Sequence, residues 1–285
     1  MESHTNAPMN EIIESIAKEK GFAKVFFLPC EPLDRHIFEA QKEGQVASAL
    51  KLPHDPLSVY PWAKCVLLLI WAYEPFAPDE RIPAYYLASN KAYHAAKEVA
   101  AEIKASGFRS ELINLPARSL ALQNGIGSAG KNGLLALKGL GTRIALYTLV
   151  TDACGPVKPN EPVPDECGEC NACSLACPAG AIGAGLTPVK CMRYEMDTGE
   201  HPEWVNAVMP GFLGCEICQH VCPKNAGLRV IEPSDDVKRA FELKRLLSGD
   251  DAEARRLAGK NMTKEGKLIN EARVFAQRDG ILTEK

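Results

Sequence analysis

At 285 residues the chain is long enough for two ordinary domains, and its apolar (46%) and charged (24%) fractions are those of a globular protein. A formal net charge of -3 gives no strong electrostatic draw toward nucleic acid or an anionic membrane surface. Residues 1–10 are polar where a signal peptide would be apolar, and the longest apolar run, Cys65–Tyr73, is too short to span a bilayer. The reading is therefore a cytoplasmic, membrane-free protein in a reducing compartment, whose eleven cysteines hold metal.

In chain order, Asn10 can cap a helix over Glu11–Lys20, with Ile12, Ile13, Ile16 and Ala17 on one face and Gly21 at its C-terminal end. Val25–Leu28 reads as a short strand and Leu33–Glu43 as a second helix ending at Gly44. Lys51–Pro61, with three prolines, is a loop. The unbroken apolar run Cys65–Trp71 predicts a strand buried on both faces. An Ala- and Lys-rich helix follows from Pro83 to Ser106, then a strand, Arg109–Ile113, and a helix, Pro116–Asn124. Gly125–Asn132 is a glycine-rich turn, and Leu134–Leu137 with Arg143–Thr151 reads as a hairpin around Gly139–Gly141. Helices and strands thus alternate through residues 1–153, which predicts an α/β or α+β domain. The proline-rich stretch Cys154–Asp165 opens a second domain over 154–225. Residues 226–285 form a charged, helix-prone tail, read as a surface appendage or partner contact.

The most informative stretch lies in the second domain. Cys167, Cys170, Cys173 and Cys177, with Pro178, follow C-x₂-C-x₂-C-x₃-C-P, the spacing of bacterial two-cluster ferredoxins. Two residues between thiolates let neighbouring sulfurs reach corners of one cube, and the fourth Cys of such a run ligates the other cluster. Cys191 and the run Cys215, Cys218, Cys222-Pro223 supply the remaining ligands. One 4Fe-4S cluster would take Cys167, Cys170, Cys173 and Cys222; the other would take Cys177, Cys191, Cys215 and Cys218. Paired C-x₂-C thiolates also suit structural zinc, but the x₃-C-P ending is the ferredoxin form. Cys30, Cys65 and Cys154 remain after this count and read as free structural cysteines.

Other motifs carry less. G-I-G-S-A-G over Gly125–Gly130 matches G-x-G-x-x-G, yet a helix-like segment precedes it and a strand-like one follows, the reverse of a nucleotide site. The glycines then serve a tight turn and a close backbone approach to a flat ligand. Asp34-Arg35-His36 begins like a corrinoid-ligating D-x-H-x-x-G motif, but Glu39 replaces its glycine, and the segment reads as a solvated helix face.

Taken together, G-I-G-S-A-G-K-N-G-L-L from Gly125, C-G-E-C-N-A-C-S-L-A-C-P from Cys167, C-M-R-Y-E from Cys191 and G-C-E-I-C-Q-H-V-C-P-K-N from Gly214 resemble epoxyqueuosine reductase and its relatives, which include the catalytic cores of reductive dehalogenases. Tyr85–His94 resembles the tyrosine-rich segment of that family. The resemblance implies an α+β protein in which a nitroreductase-like, cobalamin-binding domain precedes the two-cluster domain and a helical C-terminal tail. It implies cobalamin at the glycine turn, with Tyr93, Lys131, Asn132, Arg193 and Tyr194 near it, and Tyr86, Tyr93 and Arg118 as catalytic candidates. A ferredoxin or flavodoxin would donate electrons.

The chain also departs from that family. Where the reductases carry an Asp in D-[ST]-A-P, this chain reads I-N-L-P-A-R over Ile113–Arg118, and Ser128 stands in place of a tryptophan. The tail has balanced charge rather than a basic face. These departures lead to the expectation of a cobalamin-dependent reductase with a small-molecule or corrinoid-protein substrate, and argue against a nucleic-acid partner. Two rival readings are an electron-transfer protein without its own substrate, such as a reductive activator of a corrinoid protein, and a tRNA epoxyqueuosine reductase.

Overall fold

A computed structural model describes residues 9–34, 52–155, 157, 167–197, 201–259 and 266–282. Most of the expected helix Leu33–Glu43, including His36, and most of the proline-rich segment before Cys167 lie outside the described residues. Compactness divides the chain into two units that interleave in sequence. The first comprises 1–72, 91–130 and 134–168; the second comprises 73–90, 131–133 and 169–285.

The first unit is built on a four-stranded sheet of order β1-β2-β6-β3: β1 (Lys24–Pro29), β2 (Cys65–Ala72), β3 (Ser110–Leu112) and β6 (Ile144–Thr151). All neighbouring strands are antiparallel, with Leu67 opposite Phe27 on one side and Leu149 on the other. The chain is accordingly α+β.

Strand β2 explains its own unbroken apolar run. Cys65, Leu67 and Leu69 point to one face, where Ile13 and Ala17 of α1 (Met9–Glu19) and Ala92, Ala96, Val99 and Ile103 of α3 (Ala84–Ala105) cover them. Val66, Leu68 and Ile70 point to the other, against Leu120 of α4 (Ala117–Gln123), Ile126 and Leu135. All six β2 residues from Cys65 to Ile70 are fully buried. Short helix α2 (Pro56–Val59) starts on Asp55, whose side chain accepts from Leu57 N–H.

Two expectations are corrected here. The segment Leu134–Leu137 does not pair with Arg143–Thr151. Instead β4 (Ser128–Ala129) pairs with β5 (Leu135–Ala136), and β6 lies between β2 and β3. The turn glycines direct this outcome: Gly127 and Gly133 take φ of 70° and 78° and fold residues 128–136 back on themselves. Cys65 and Cys154, expected to be free, are joined as a disulfide with Cα atoms 6.2 Å apart, within the usual span of such a bond. Their separation of 89 residues hides the pairing from any local reading.

The second unit is helical. It holds α5 (Ala172–Ala176), α6 (Met192–Met196), α7 (Glu203–Val208), α8 (Ile217–His220), α9 (Asp235–Ala240), α10 (Leu243–Leu247), α11 (Ala252–Ala258) and α12 (Lys267–Arg278) among the described residues. The tail is no appendage. Ala240, Phe241, Leu246, Ala254, Ala258, Leu268, Ala272 and Phe275 share one core with Tyr86, Met192, Met196, Met209 and Phe212. Helix α12 buries Leu268, Ala272 and Phe275, spaced four and three residues apart, and turns Lys267 and Glu271 inward beside them. Among the described residues no helix is long and apolar enough to cross a membrane.

Replacing Gly127 tests the turn. An added Cβ would stand 2.5 Å from the Ala136 carbonyl oxygen and 2.7 Å from Leu137 Cδ2, in a backbone conformation that L side chains avoid. Gly127→Ala is expected to cost about 2–4 kcal/mol, the sum of a left-handed residue and an overpacked contact. A chemical-denaturation midpoint left where the wild type has it would refute this.

Candidate functional site

Cys177, Cys191, Cys215 and Cys218 lie in the second unit, each at the edge of a short helix. Cys177 ends α5, Cys191 caps α6, and Cys215 and Cys218 bracket the start of α8. Their thiols are close enough to disturb one another. Burial pushes Cys215 up to about 11 and Cys218 up to about 12, and the neighbouring thiols add to both shifts. Burial also raises Cys191, with Cys177 adding to it. Backbone N–H groups are aimed at these sulfurs: Ala181 N–H donates to Cys177 Sγ at 3.4 Å, those of Arg193 and Tyr194 face Cys191, and that of Ile217 faces Cys215. Partly buried thiols sharing a space resist ionising together without a cationic body between them, and ligation to such a body deprotonates them. The donor set therefore fits a cluster. Among the described residues, no three His, Cys, Asp or Glu side chains gather as a single metal ion requires.

Cys170 and Cys173 also belong to the second unit, with Cys222 at the Cys-Pro end after α8; the contact division leaves Cys167 at the close of the first. Lys131 Nζ donates to the Cys170 carbonyl at 2.9 Å and to Asn171 Oδ1 at 3.3 Å. Asn132 beside it is buried, and a Cβ on Gly133 would stand 2.6 Å from Leu186 Cδ2. Residues 131–133, expected to face a flat ligand, thus strap the Cys170 loop. Gly127, also expected to receive such a ligand, is packed by the protein's own β5.

Of the catalytic candidates, Tyr86 is buried in the second unit. Its hydroxyl accepts from Arg193 Nη2, and the guanidinium lies 5.3 Å from its ring centroid. Burial drives the phenol well above its ordinary pKa, partly offset by Arg193. Tyr93 and Arg118 fall in the first unit. Tyr93 is partly exposed on α3, its ring 6.2 Å from that of Tyr147 and beneath Lys97 Nζ at 5.7 Å. Arg118 opens α4; burial lowers its pKa, and its Nε is buried without a hydrogen-bond partner. Tyr194 is half-buried on α6. The structure thus joins Tyr86 to Arg193, and places Tyr93 and Arg118 in another unit. Cys30 is half-buried, and burial lifts its thiol to about 11, so it is an inert thiol at neutral pH.

A buried polar group that the sequence reading missed lies beside α6. Arg193 pairs with Asp197, whose carboxylate stands 3.9 Å from Lys267 Nζ; that amine also donates to the Met196 carbonyl. Glu271 is 1% exposed. Its Oε2 accepts from Leu213 N–H at 2.8 Å, and its Oε1 stands 3.7 Å from His201 Nε2, neither atom having a hydrogen bond. Leu213 has φ of 64°, the one positive value among described non-glycine residues, and sits two positions before Cys215. The only advance signal of this group was the i, i+4 spacing of Lys267 and Glu271 on an amphipathic helix.

Residues 166–225 match a family described as a 4Fe-4S double cluster binding domain. The chain is 33% identical to the epoxyqueuosine reductase of Bacillus anthracis over 142 residues, 48% of this chain and 36% of that protein. It is 28% identical to that of Gloeobacter violaceus over 249 residues, 77% of each. The chain therefore spans only about a third of the first of these relatives. In fold, it matches an epoxyqueuosine reductase from Bacillus subtilis with its catalytic Asp loop swung out of the active site (TM-score 0.73, 21% identity, 94% of this chain and 81% of that one). It also matches an epoxyqueuosine reductase with a tRNA-Tyr epoxyqueuosine-modified stem loop (TM-score 0.71, 20% identity, 94% and 80%). A catabolic reductive dehalogenase is more distant (TM-score 0.51, 17% identity, 95% and 39%). The chain is thus epoxyqueuosine reductase-like in sequence and fold. The tRNA stem loop on one of these neighbours overturns the expectation that argued against a nucleic-acid partner. Balanced net charge was a poor guide, because a local face can bind phosphates while the whole chain stays near neutral.

Glu271 makes stability depend on pH. Burial raises its carboxyl from 4.5 to about 7, with Asp197 adding to the rise and the Leu213 N–H, Lys267 and Arg193 opposing it. The folded chain then holds a proton that the unfolded chain has released, so this group's contribution falls as pH rises from about 4.5 to about 7, by ~3 kcal/mol in all. His201 is lowered by burial and by Lys267, and acts in the opposite sense below 6.5. Denaturant unfolding of wild type and Glu271→Gln at about pH 5 and about pH 7 isolates the carboxyl. Wild type is expected to lose stability relative to the variant between the two, and a constant difference would contradict the shift.

Proposed function

We propose that this chain is an iron–sulfur oxidoreductase that reduces epoxyqueuosine in tRNA, drawing single electrons from a ferredoxin- or flavodoxin-type donor in the cytoplasm. The observation that carries this reading is that the thiols of Cys177, Cys191, Cys215 and Cys218 lie near enough to perturb one another, within a fold shared over 94% of the chain with epoxyqueuosine reductases. Those four would ligate one cluster, and Cys167, Cys170, Cys173 and Cys222 the other. A bound 4Fe-4S cluster supplies one-electron transfer at a potential set by charge, hydrogen bonds and exposure. The N–H groups of Ala181, Arg193, Tyr194 and Ile217 serve as hydrogen-bond donors to the sulfurs, and Lys131 fixes the Cys170 loop.

Arg118 is the residue we assign to an anionic group of the substrate. Its guanidinium is partly desolvated and its buried Nε lacks a partner, which favours a carboxylate or phosphate. The segment Ile113–Arg118 contains no acid, so a proton must come from elsewhere. By resemblance, Tyr86 is one candidate for that role. Tyr93 is the second candidate.

Cobalamin is the further cofactor this reading calls for, and the distant dehalogenase-like fold is its support. By resemblance Tyr93, Lys131, Asn132, Arg193 and Tyr194 would be near it. Lys131 and Arg193 fit that assignment poorly, because both cations are engaged by protein groups around the cysteines.

The test is turnover. Protein reconstituted without oxygen is expected to hold about eight irons per chain. With hydroxocobalamin and a low-potential donor it is expected to convert epoxyqueuosine-containing tRNA, read by nucleoside mass spectrometry. Arg118→Ala is expected to lower kcat/KM by about tenfold to a hundredfold, the worth of a charged hydrogen bond. Fully iron-loaded protein that leaves the nucleoside unchanged would refute the substrate assignment, and zinc in place of iron would refute the cluster assignment as well.

A further inference from the structure

We propose that Arg193 is an electrostatic partner of the cluster at Cys177, Cys191, Cys215 and Cys218. Held between Tyr86 and Asp197, its charge sets how readily that cluster accepts an electron. The inference rests on the cluster assignment above and departs from the resemblance, which puts Arg193 beside cobalamin.

Arg193 stands two residues after Cys191, in the first turn of α6, and its own N–H faces the Cys191 sulfur. Its side chain runs toward the second stretch of ligands. The Cδ atom lies 3.6 Å from the point where a Cβ on Gly214 would stand, next to Cys215, and Tyr86 Cε2 lies at the same distance. Ligand-bearing segments thus flank the guanidinium on two sides. It is fixed by two contacts, its Nη2 on the Tyr86 hydroxyl and its Nη1 on the Asp197 carboxylate. The side chain is only 30% exposed, so solvent screens it less than a surface charge.

Reduction adds one electron to the cluster and no proton is required. A nearby positive charge favours the reduced form, and a nearby carboxylate favours the oxidised form. Arg193→Gln deletes the cation and leaves the Asp197 carboxylate in place, 3.9 Å from Lys267 Nζ. Asp197→Asn deletes the counter-charge and leaves Arg193 uncompensated. The two substitutions should therefore shift the potential in opposite directions. A role confined to packing would not produce that pair of signs.

The experiment is an anaerobic redox titration of the iron-loaded full chain, followed by paramagnetic resonance without substrate or cobalamin. Arg193→Gln is expected to weaken reduction of one of the two clusters about tenfold, equivalent to ~59 mV for a one-electron couple. Asp197→Asn is expected to strengthen reduction of the same cluster, and Arg193→Lys to stay near wild type. Potentials unchanged in both neutral variants, or moved in the same direction, overturn the inference while leaving the cluster assignment intact. Wild-type protein that binds no iron overturns both. Should Arg193→Gln fail to load iron, Asp197→Asn decides alone, and an unshifted potential there counts against the proposal.

Discussion

The structure depends on holding like groups together against their mutual repulsion. Thiols at Cys177, Cys191, Cys215 and Cys218 are partly buried and near one another, and those of Cys191, Cys215 and Cys218 are reluctant to ionise. Short helices and Cys-Pro turns fix where each sulfur points, and backbone N–H groups soften the cost of the thiolate form. A ligand set arranged before its cluster arrives loses less freedom on binding, which is the physical advantage of such rigidity.

The residues after 225 supply much of that rigidity. Phe275 stacks edge-on to Phe212 at 5.0 Å, and Phe241 lies 5.8 Å from the same ring. Arg81 forms a two-pronged pair with Asp279 and covers the Phe275 face at 4.4 Å. Glu271 then reaches the strained backbone at Leu213, just before Cys215. The tail's contribution is therefore mechanical as much as hydrophobic: it steadies the approach to Cys215, which is distant in sequence.

The two-cluster domain, the buried strand β2 and the long helix α3 were legible because each is written in a local pattern: a fixed cysteine spacing, an unbroken apolar run, an Ala-rich stretch ended by glycine. The pairing of β4 with β5 was not, because the decisive feature is positive φ at Gly127 and Gly133, which removes the register that Arg143–Thr151 offered to Leu134–Leu137. Nor was the Cys65–Cys154 bond, since neither residue has a local partner. Tyr86 was singled out as a possible acid, but its guanidinium neighbour lies 107 residues away. Lys267 and Glu271 are turned inward by a helix of the tail, a segment that by sequence reads only as a surface appendage or partner contact. Charge balance, sampled over the whole chain, said too little about any one face to decide on a nucleic-acid partner.

The chain passes between its two compact units at residues 72–73, 90–91, 130–131, 133–134 and 168–169. A polypeptide threaded this way has no single seam. Neither unit is one continuous stretch, so no single cut of the chain releases either of them whole.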